Sequence, residues 1–479
     1  MTTNHAMLDA TAQAELVRTG QATPLELVDE AILRIEKLNP QLNAVITPLF
    51  EKARQQAQAS DLPNGPFRGV PFLLKDLVCH SAGDPYHCGT KFLKELNYIA
   101  PTDTYLAAKF REAGFINLGK TNTPEFGSTV TTEPEAYGAS CNPWNLKHST
   151  GGSSGGAAAA VASGMVPVAH ANDGGGSIRV PASECGLVGL KPCRGRVSAG
   201  PEAGEGWAGA TIEGVVSRSV RDSAAVLDAI SAPVPGDPYF APPPAKPFST
   251  FVGDAPSSLK IGLFTGAPYL EAHADCTAAV QHTAQLLESL GHQVEESHPT
   301  AIGDPDFSTH FVNILGVATV ADIDAWAEKI GRPITEEDIE MSNWNFYQLG
   351  KTINGSDYLK SVNWIHAFTR RMAAWWADDG FDLLLTPTIA APPPELGWLS
   401  DPSAGTERVL SLIPFTPPFN STGQPAISLP LFWNEAGLPI GIQLVGAYAR
   451  EDLLIQIASQ LEIAQPWAEK WPAVSAINL

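Results

Sequence analysis

Apolar positions recur at helical spacing in some stretches of the chain and at strand spacing in others, and the two kinds alternate. Residues 8–38 predict two helices split by Gly20-Gln21-Ala22-Thr23-Pro24, with Thr23 as N-cap and Pro24 as first helical residue. Val70 to Val78 is a short apolar run broken by Lys75-Asp76, which predicts a buried strand ending at a site. Leu106, Phe110 and Ala113 share one face of a helix over 103–113, closed by Gly114, and Phe115 to Gly119 follows as a strand. A small-residue helix starts near Ser154 and runs through Ala157 to Ala162, and Met165 to Ala169 opens a strand over 165–170. Further on, Lys260 to Phe264 reads as a strand. Thr277 to Leu290 reads as a helix with Val280, Ala284 and Leu287 aligned before Gly291. Residues 310–380 are helical and rich in tryptophan, and strands are expected at Phe381–Leu385, Ala426–Leu429 and Ile440–Val445. Proline and glycine crowd 232–255, a surface connector or sub-domain boundary. No internal repeat is visible. Strands alternating with helices imply an α/β layer architecture around a mostly buried sheet.

Composition narrows the function. At 479 residues and 44% hydrophobic content the chain can bury a large core. A net charge of −21 argues against nucleic acid and against an anionic membrane surface, both of which need a basic footprint. No apolar run reaches the roughly 18 residues of a membrane span. The first residues, Met1-Thr2-Thr3-Asn4-His5, lack the basic-then-apolar pattern of a secretory leader. Cys79, Cys88, Cys141, Cys185, Cys193 and Cys276 are scattered, with no C-x-x-C pair and no clustered metal-ligand set. Reduced cysteines, a cytoplasmic location and no metal or cofactor are the expectation.

The chemistry concentrates in two glycine-rich turns. Gly151-Gly152-Ser153-Ser154-Gly155-Gly156 and Gly174-Gly175-Gly176-Ser177-Ile178-Arg179 each present a serine. Glycine clusters let the backbone approach a ligand and aim several N–H groups at one point. Serine there is a candidate nucleophile, and the N–H groups are a candidate oxyanion hole. Two standard patterns also match. Gly114-x-x-x-x-Gly119-Lys120-Thr121 has phosphate-loop spacing, but the predicted strand falls inside the supposed loop. Gly151 to Gly155 fits G-x-S-x-G, an alternative in which Ser153 is the nucleophile of a Ser-His-Asp esterase. The histidines after it are His170, His282, His292, His298, His310 and His366, none in a marked setting. Lys75 is the other candidate base. A lysine is basic only when neutral, and the apolar Pro71-Phe72-Leu73-Leu74 before it would lower its pKa.

With these residues in view, the chain resembles the amidase signature family. The resemblance rests on Gly69 to Asp76, Gly119 to Phe126, Gly151 to Gly156, Asp173 to Arg179 with Pro181-Ala182, and Gly189 to Pro192. Asn420 to Ala426 and Gly437 to Gln443 add to it. It is dense over about 65–200 and 382–446 and thin over 205–380. It implies a large twisted mixed sheet covered by helices on both faces, in a single domain spanning 1–479. The signature core would lie near 65–200 and a variable helical pocket near 300–380. It further implies amide hydrolysis through an acyl-enzyme. Ser177 would be the acylated nucleophile and Ser153 the bridging serine, held by a cis peptide bond to Gly152 or Ser154. Lys75 would be the base. The N–H groups of Gly174, Gly175, Gly176 and Ser177 would form the oxyanion hole, with Asp173 and Arg179 bracing the turn.

The run His170-Ala171-Asn172-Asp173-Gly174-Gly175-Gly176-Ser177 departs from the Thr-Asp-Thr-Gly-Gly-Ser of many members. That run is similar to the branch that hydrolyses cyclic dimers of 6-aminohexanoate, with aryl acylamidases and carbamate-cleaving members close by. The implied partner is a small-molecule amide, with esters and carbamates as further substrates. A homodimer is compatible, and a partner-dependent amidotransferase A subunit or a non-catalytic relative is the other alternative. Residues 125–140 and 310–350 are expected at the pocket wall, with Trp344, Phe346 and Tyr347 as apolar candidates; ordinary core packing is the competing expectation for the three aromatics.

Overall fold

A computed structural model describes residues 5–266, 271–401 and 403–479; the leader expectation at Met1–Asn4 lies outside them. The two helices expected over 8–38 are α1 (Ala10–Arg18) and α2 (Pro24–Leu42). At the start of α2, Thr23 Oγ1 accepts from the Glu26 N–H while the Glu26 carboxylate accepts from the Thr23 N–H, and Pro24 fills the first helical position. Next come β1 (Val45–Pro48), α3 (Phe50–Gln58), β2 (Pro71–Lys75), α4 (Lys91–Glu95), α5 (Tyr105–Glu112) and β3 (Ile116–Thr121). The three strands form a small sheet in the order β1-β3-β2, with β2 parallel to β3 and Lys75 opposite Thr121. Gly119-Lys120-Thr121 is therefore strand, not loop, and no phosphate cradle exists there.

The hairpin β4 (Cys141–Asn142) and β5 (Asn145–Ser149) leads into α6 (Gly155–Ala162), β6 (Val168–Asp173), α7 (Arg179–Cys185), β7 (Val188–Lys191), β8 (Ile212–Ser217) and α8 (Val220–Ile230). After the exposed connector come β9 (Lys260–Leu263), α9 (Ala274–Ser289) and β10 (Gln293–Glu296). The tryptophan-rich stretch is three helices, α10 (Phe307–Ile330), α11 (Met341–Thr352) and α12 (Gly355–Asp378). The chain closes through β11 (Leu383–Pro387), α13 (Gly405–Leu412), α14 (Pro417–Ser421), β12 (Ala426–Trp433), β13 (Pro439–Gly446) and α15 (Glu451–Ala464).

The main sheet has eight strands in the order β10-β9-β11-β13-β12-β7-β8-β6. Its β10, β9 and β11 run parallel, and the remaining pairs are antiparallel. Strand alternation feeds both faces. Leu383 and Leu385 pack with α8, α9 and α15, whereas Leu384 between them packs under α10 and α12. Likewise Val168 faces the first layer, and Ala169 and Ala171 face α6 and α7. Both faces are buried, which is why these strands read as near-continuous apolar runs.

One boundary differs from the sequence expectation in a way that matters. The strand expected at 165–170 occupies 168–173. Met165 N–H returns to Ala160 O beyond Gly164 at φ +78°, so Met165 to Pro167 belongs to the turn that ends α6. The strand instead continues through His170, Asn172 and Asp173, polar residues that are buried because each is paired. Among the described residues no helix is long and apolar enough to cross a membrane.

Candidate active site

Three chain segments converge. β2 delivers Lys75 at its C-terminal end, the Gly151–Gly156 turn delivers Ser153 and Ser154, and β6 delivers Asn172 and Asp173. The Gly152–Ser153 peptide bond is cis. The turn has no room for larger residues. A Cβ on Gly152 would lie 2.5 Å from Thr131 N, and one on Gly156 would lie 2.5 Å from Asn122 N. Thr132 ties the turn down, donating to Gly151 O and accepting from Gly155 N–H.

Lys75 is fully buried, and its Nζ has three oxygen neighbours: Ser153 Oγ at 2.6 Å, Asn172 Oδ1 at 2.6 Å and Ser154 Oγ at 3.0 Å. Burial pushes its pKa down from 10.5 to about 7, against the opposing pull of Glu213 and Asp173. Proton counting then assigns the contacts. Asn172 donates through Nδ2 to Leu77 O, so its Oδ1 faces Lys75 as an acceptor. Ser154 donates to Asn172 O, so its oxygen also accepts from Lys75. A neutral amine has two N–H bonds and one lone pair. The two donors go to Asn172 and Ser154, and the lone pair is left for the hydroxyl proton of Ser153.

Lys75 is also held from behind. His170 Nδ1 accepts from the Lys75 backbone N–H at 3.2 Å, and its Nε2 donates to Glu213 at 2.7 Å. Burial lowers the His170 pKa even though Glu213 pulls the other way. Both ring nitrogens are occupied, so His170 cannot serve a serine. No histidine among the described residues is hydrogen-bonded to Ser153; His282, His292, His298 and His310 bond elsewhere. Lys75, not a histidine, faces Ser153, and the Ser-His-Asp alternative has no base.

Ser177 stands on the second turn, between β6 and α7, and is 7% exposed. Its hydroxyl has no partner among the described residues. The turn is braced from below by Asp173. Its Oδ1 accepts from Gly176 N–H at 2.6 Å, and its Oδ2 accepts from Ile178 N–H at 3.1 Å. Arg179, wholly buried, donates to both carboxylate oxygens at 3.0 Å, to Gln443 Oε1 at 2.7 Å and to Asn420 Oδ1 at 2.5 Å. Burial alone would raise the Asp173 pKa; the Arg179 guanidinium outweighs it and holds the carboxyl well below the usual range. Arg179→Met leaves that carboxylate buried without its cation. It is expected to cost about 3–5 kcal/mol of stability, read from urea denaturation.

One sequence expectation is corrected here. Gly176 N–H is spent on Asp173, so it is not a free oxyanion donor. Glycine is still required at 176 for another reason: φ is +133°, and a Cβ would lie 2.6 Å from Thr416 Oγ1. The aromatics expected at the pocket wall also sort differently. Trp344 and Tyr347 stack with ring centroids 5.2 Å apart, and Tyr347 donates to Asp324, so this pair fastens α11 to α10. Aromatic rings stand at the Gly174–Ser177 turn instead: Trp207, against Gly174, and Phe311, 3.8 Å from where a Gly175 Cβ would stand. Among the described residues no group of three or more His, Cys, Asp or Glu could hold a metal ion.

A mixed α/β fold thus brings a buried lysine into hydrogen-bond contact with Ser153, and among the described residues no histidine bonds to that serine. The chain belongs to the amidase family, whose model matches residues 26–455, and it is an amide-bond hydrolase of the amidase signature type. It is 46% identical over 477 residues to a 6-aminohexanoate-cyclic-dimer hydrolase of Paenarthrobacter ureafaciens, covering 97% of this chain and 96% of that protein. A solved structure of a 6-aminohexanoate cyclic dimer hydrolase matches with a TM-score of 0.94 and 46% identity, over 98% of this chain and 99% of that one. A bacterial aryl acylamidase of the amidase signature family matches with a TM-score of 0.87 and 28% identity, over 96% and 97%.

Proposed function

We propose that Ser177 is the nucleophile, Ser153 the proton bridge and Lys75 the base in the hydrolysis of non-peptide amides. One observation carries this reading: among the described residues the one base in contact with Ser153 is a lysine whose pKa burial pushes down to about 7 and whose N–H bonds, when it is neutral, are already committed. Lys75 takes the Ser153 proton as Ser153 takes that of Ser177. The Ser177 oxygen attacks the carbonyl carbon. Gly174, Gly175 and Ser177 supply the N–H groups that meet the developing oxyanion. The proton returns through Ser153 to the leaving nitrogen, the C–N bond breaks, and water cleaves the ester by the same relay. Ser177 and Ser153 are not hydrogen-bonded in this structure, and the relay requires that contact to form once substrate is seated.

The substrate class follows from the relatives and from the space around Ser177. Trp207 and Phe311 offer apolar wall at the nucleophile turn, and the relatives act on aminohexanoate cyclic dimers and aryl acylamides. Aminohexanoate oligomers and aryl amides are the substrates we assign, with esters and carbamates as weaker ones. The whole chain works as one domain, with the signature core near 65–200 and the 300–380 helices as variable pocket wall. Its six unpaired cysteines suit a reducing cytoplasm. A homodimer is an assembly that light scattering decides. The purified chain alone is expected to cleave a 4-nitroanilide and the linear and cyclic aminohexanoate dimers. Cleavage of glutamine only, or none until a second protein is added, would instead make it an amidotransferase subunit.

A further inference from the structure

α10 starts beside the Gly174–Ser177 turn and ends beside Tyr86 and Tyr98. Phe311 stands 3.8 Å from where a Gly175 Cβ would be, beside the turn that carries Ser177. Trp326, further along, packs on Tyr86 and Tyr98 at the far rim, with ring centroids 6.1 and 5.1 Å apart. At about 100° per residue, Phe311, Asp322 and Trp326 fall within roughly 60° of one another around the helix. Asp322 therefore faces the body of the protein, between the nucleophile turn and the Tyr86–Cys88 loop.

Residues on such a face are normally covered, yet Asp322 is exposed. It is not on open surface, however. Surrounding protein pushes its carboxyl up to about 6 by desolvation, and its charge is felt at the buried Cys88 thiol. Its helix neighbours Ile323 and Trp326 pack with Tyr86 and Cys88, so the exposed carboxylate stands at the edge of that packing. Asp322 has no hydrogen bond, ion pair or cation partner among the described residues. Another α10 acid, Asp324, is used internally, paired with Lys351 and Tyr347.

We propose that Asp322 binds the terminal primary ammonium of an extended amide substrate whose reacting carbonyl lies at Ser177. This rests on the assignment of Ser177 above and deepens it, naming chains with a free amino end as the preferred acyl group. The reach fits. Phe311 and Asp322 are about 16 Å apart along the helix axis. An extended chain advances about 3.4 Å per three bonds, so the thirteen bonds from carbonyl carbon to terminal nitrogen in two linked 6-aminohexanoyl units span about 15 Å. The methylenes would lie along the apolar face of α10, and the ammonium would meet the one unpaired carboxylate on it.

Two chromogenic substrates separate the claims: the 4-nitroanilide of two linked 6-aminohexanoyl units with its amine free, and the same compound N-acetylated. The full-length chain is expected to cleave both, with the lower KM for the free amine. Asp322→Asn should raise KM for the free amine about tenfold with kcat unchanged, and leave the acetylated compound within twofold. Asp322→Glu should recover part of the loss. Equal effects on both compounds, or no effect on either, would overturn the ammonium site while the acetylated turnover still supports Ser177. No turnover of either compound by the unsubstituted chain would overturn both assignments.

Discussion

Ser177→Ala is expected to abolish amide hydrolysis, a fall of roughly 10⁶-fold, with the protein still folded. The Ser177 hydroxyl has no partner within the described chain, so its removal breaks no internal hydrogen bond. The turn that carries it is fixed from beneath, by Asp173, Arg179, Asn420 and Gln443. None of those contacts involves the serine side chain. The stability change should therefore stay within about 0.5 kcal/mol, the range of substitutions that remove no packing or pairing. Circular dichroism and urea midpoint check the fold, and nitroanilide release checks the activity. Ser153→Ala is a different change, because Ser153 is 2% exposed and bonded to Lys75. Retained activity in Ser177→Ala together with loss in Ser153→Ala would reverse the roles of the two serines.

Lys75→Met should cost at least 10²–10⁴-fold in kcat/KM, the range of an acid–base group, and more where Ser153 also loses its orientation. Methionine keeps much of the volume in a wholly buried site, so the loss reports chemistry rather than collapse. The pH profile of the unsubstituted enzyme carries the same information with a definite sign. In the proposed relay the active form is the neutral amine, and the amine's pKa is pushed down to about 7. kcat/KM should rise about tenfold per pH unit below that value and level off above it. Below pH 7 the buried ammonium is protonated, its lone pair is gone, and Ser153 has no acceptor. Glu213 and Asp173 face Lys75 and hold its pKa higher than burial alone would leave it, so Glu213→Gln should move the acid limb to lower pH. A profile flat to pH 5 would contradict Lys75 as base.

Much of the candidate site is legible in the sequence, because its residues lie in short local motifs. Ser153, Ser177 and their glycines sit in turns too tight for other residues, and Lys75 ends an apolar strand; both leave marks in the chain. Partners supplied by distant elements leave none. Asn172 and Glu213 face one another across β6 and β8, and no periodicity says that one orients Lys75 and the other braces His170. Asn420 and Gln443 lay inside recognised motifs, but their bonds to Arg179 depend on how β13 and α14 meet α7. The Gly176 N–H was misassigned because a glycine run looks the same whether its donors point at a ligand or at the preceding aspartate. Trp207 was missed for a similar reason. It stands with Ala208 in the left-handed region, at φ +53° and +52°, in a stretch with no regular structure to place it.

The most direct test of the central assignment is to react the full-length enzyme with an alkyl fluorophosphonate at pH 8 and map the adduct by peptide mass spectrometry. A single adduct on Ser177, absent from Lys75→Met under the same conditions, is the expected result. An adduct on Ser153, or labelling of Ser177 that proceeds undiminished without Lys75, would contradict the lysine-driven relay.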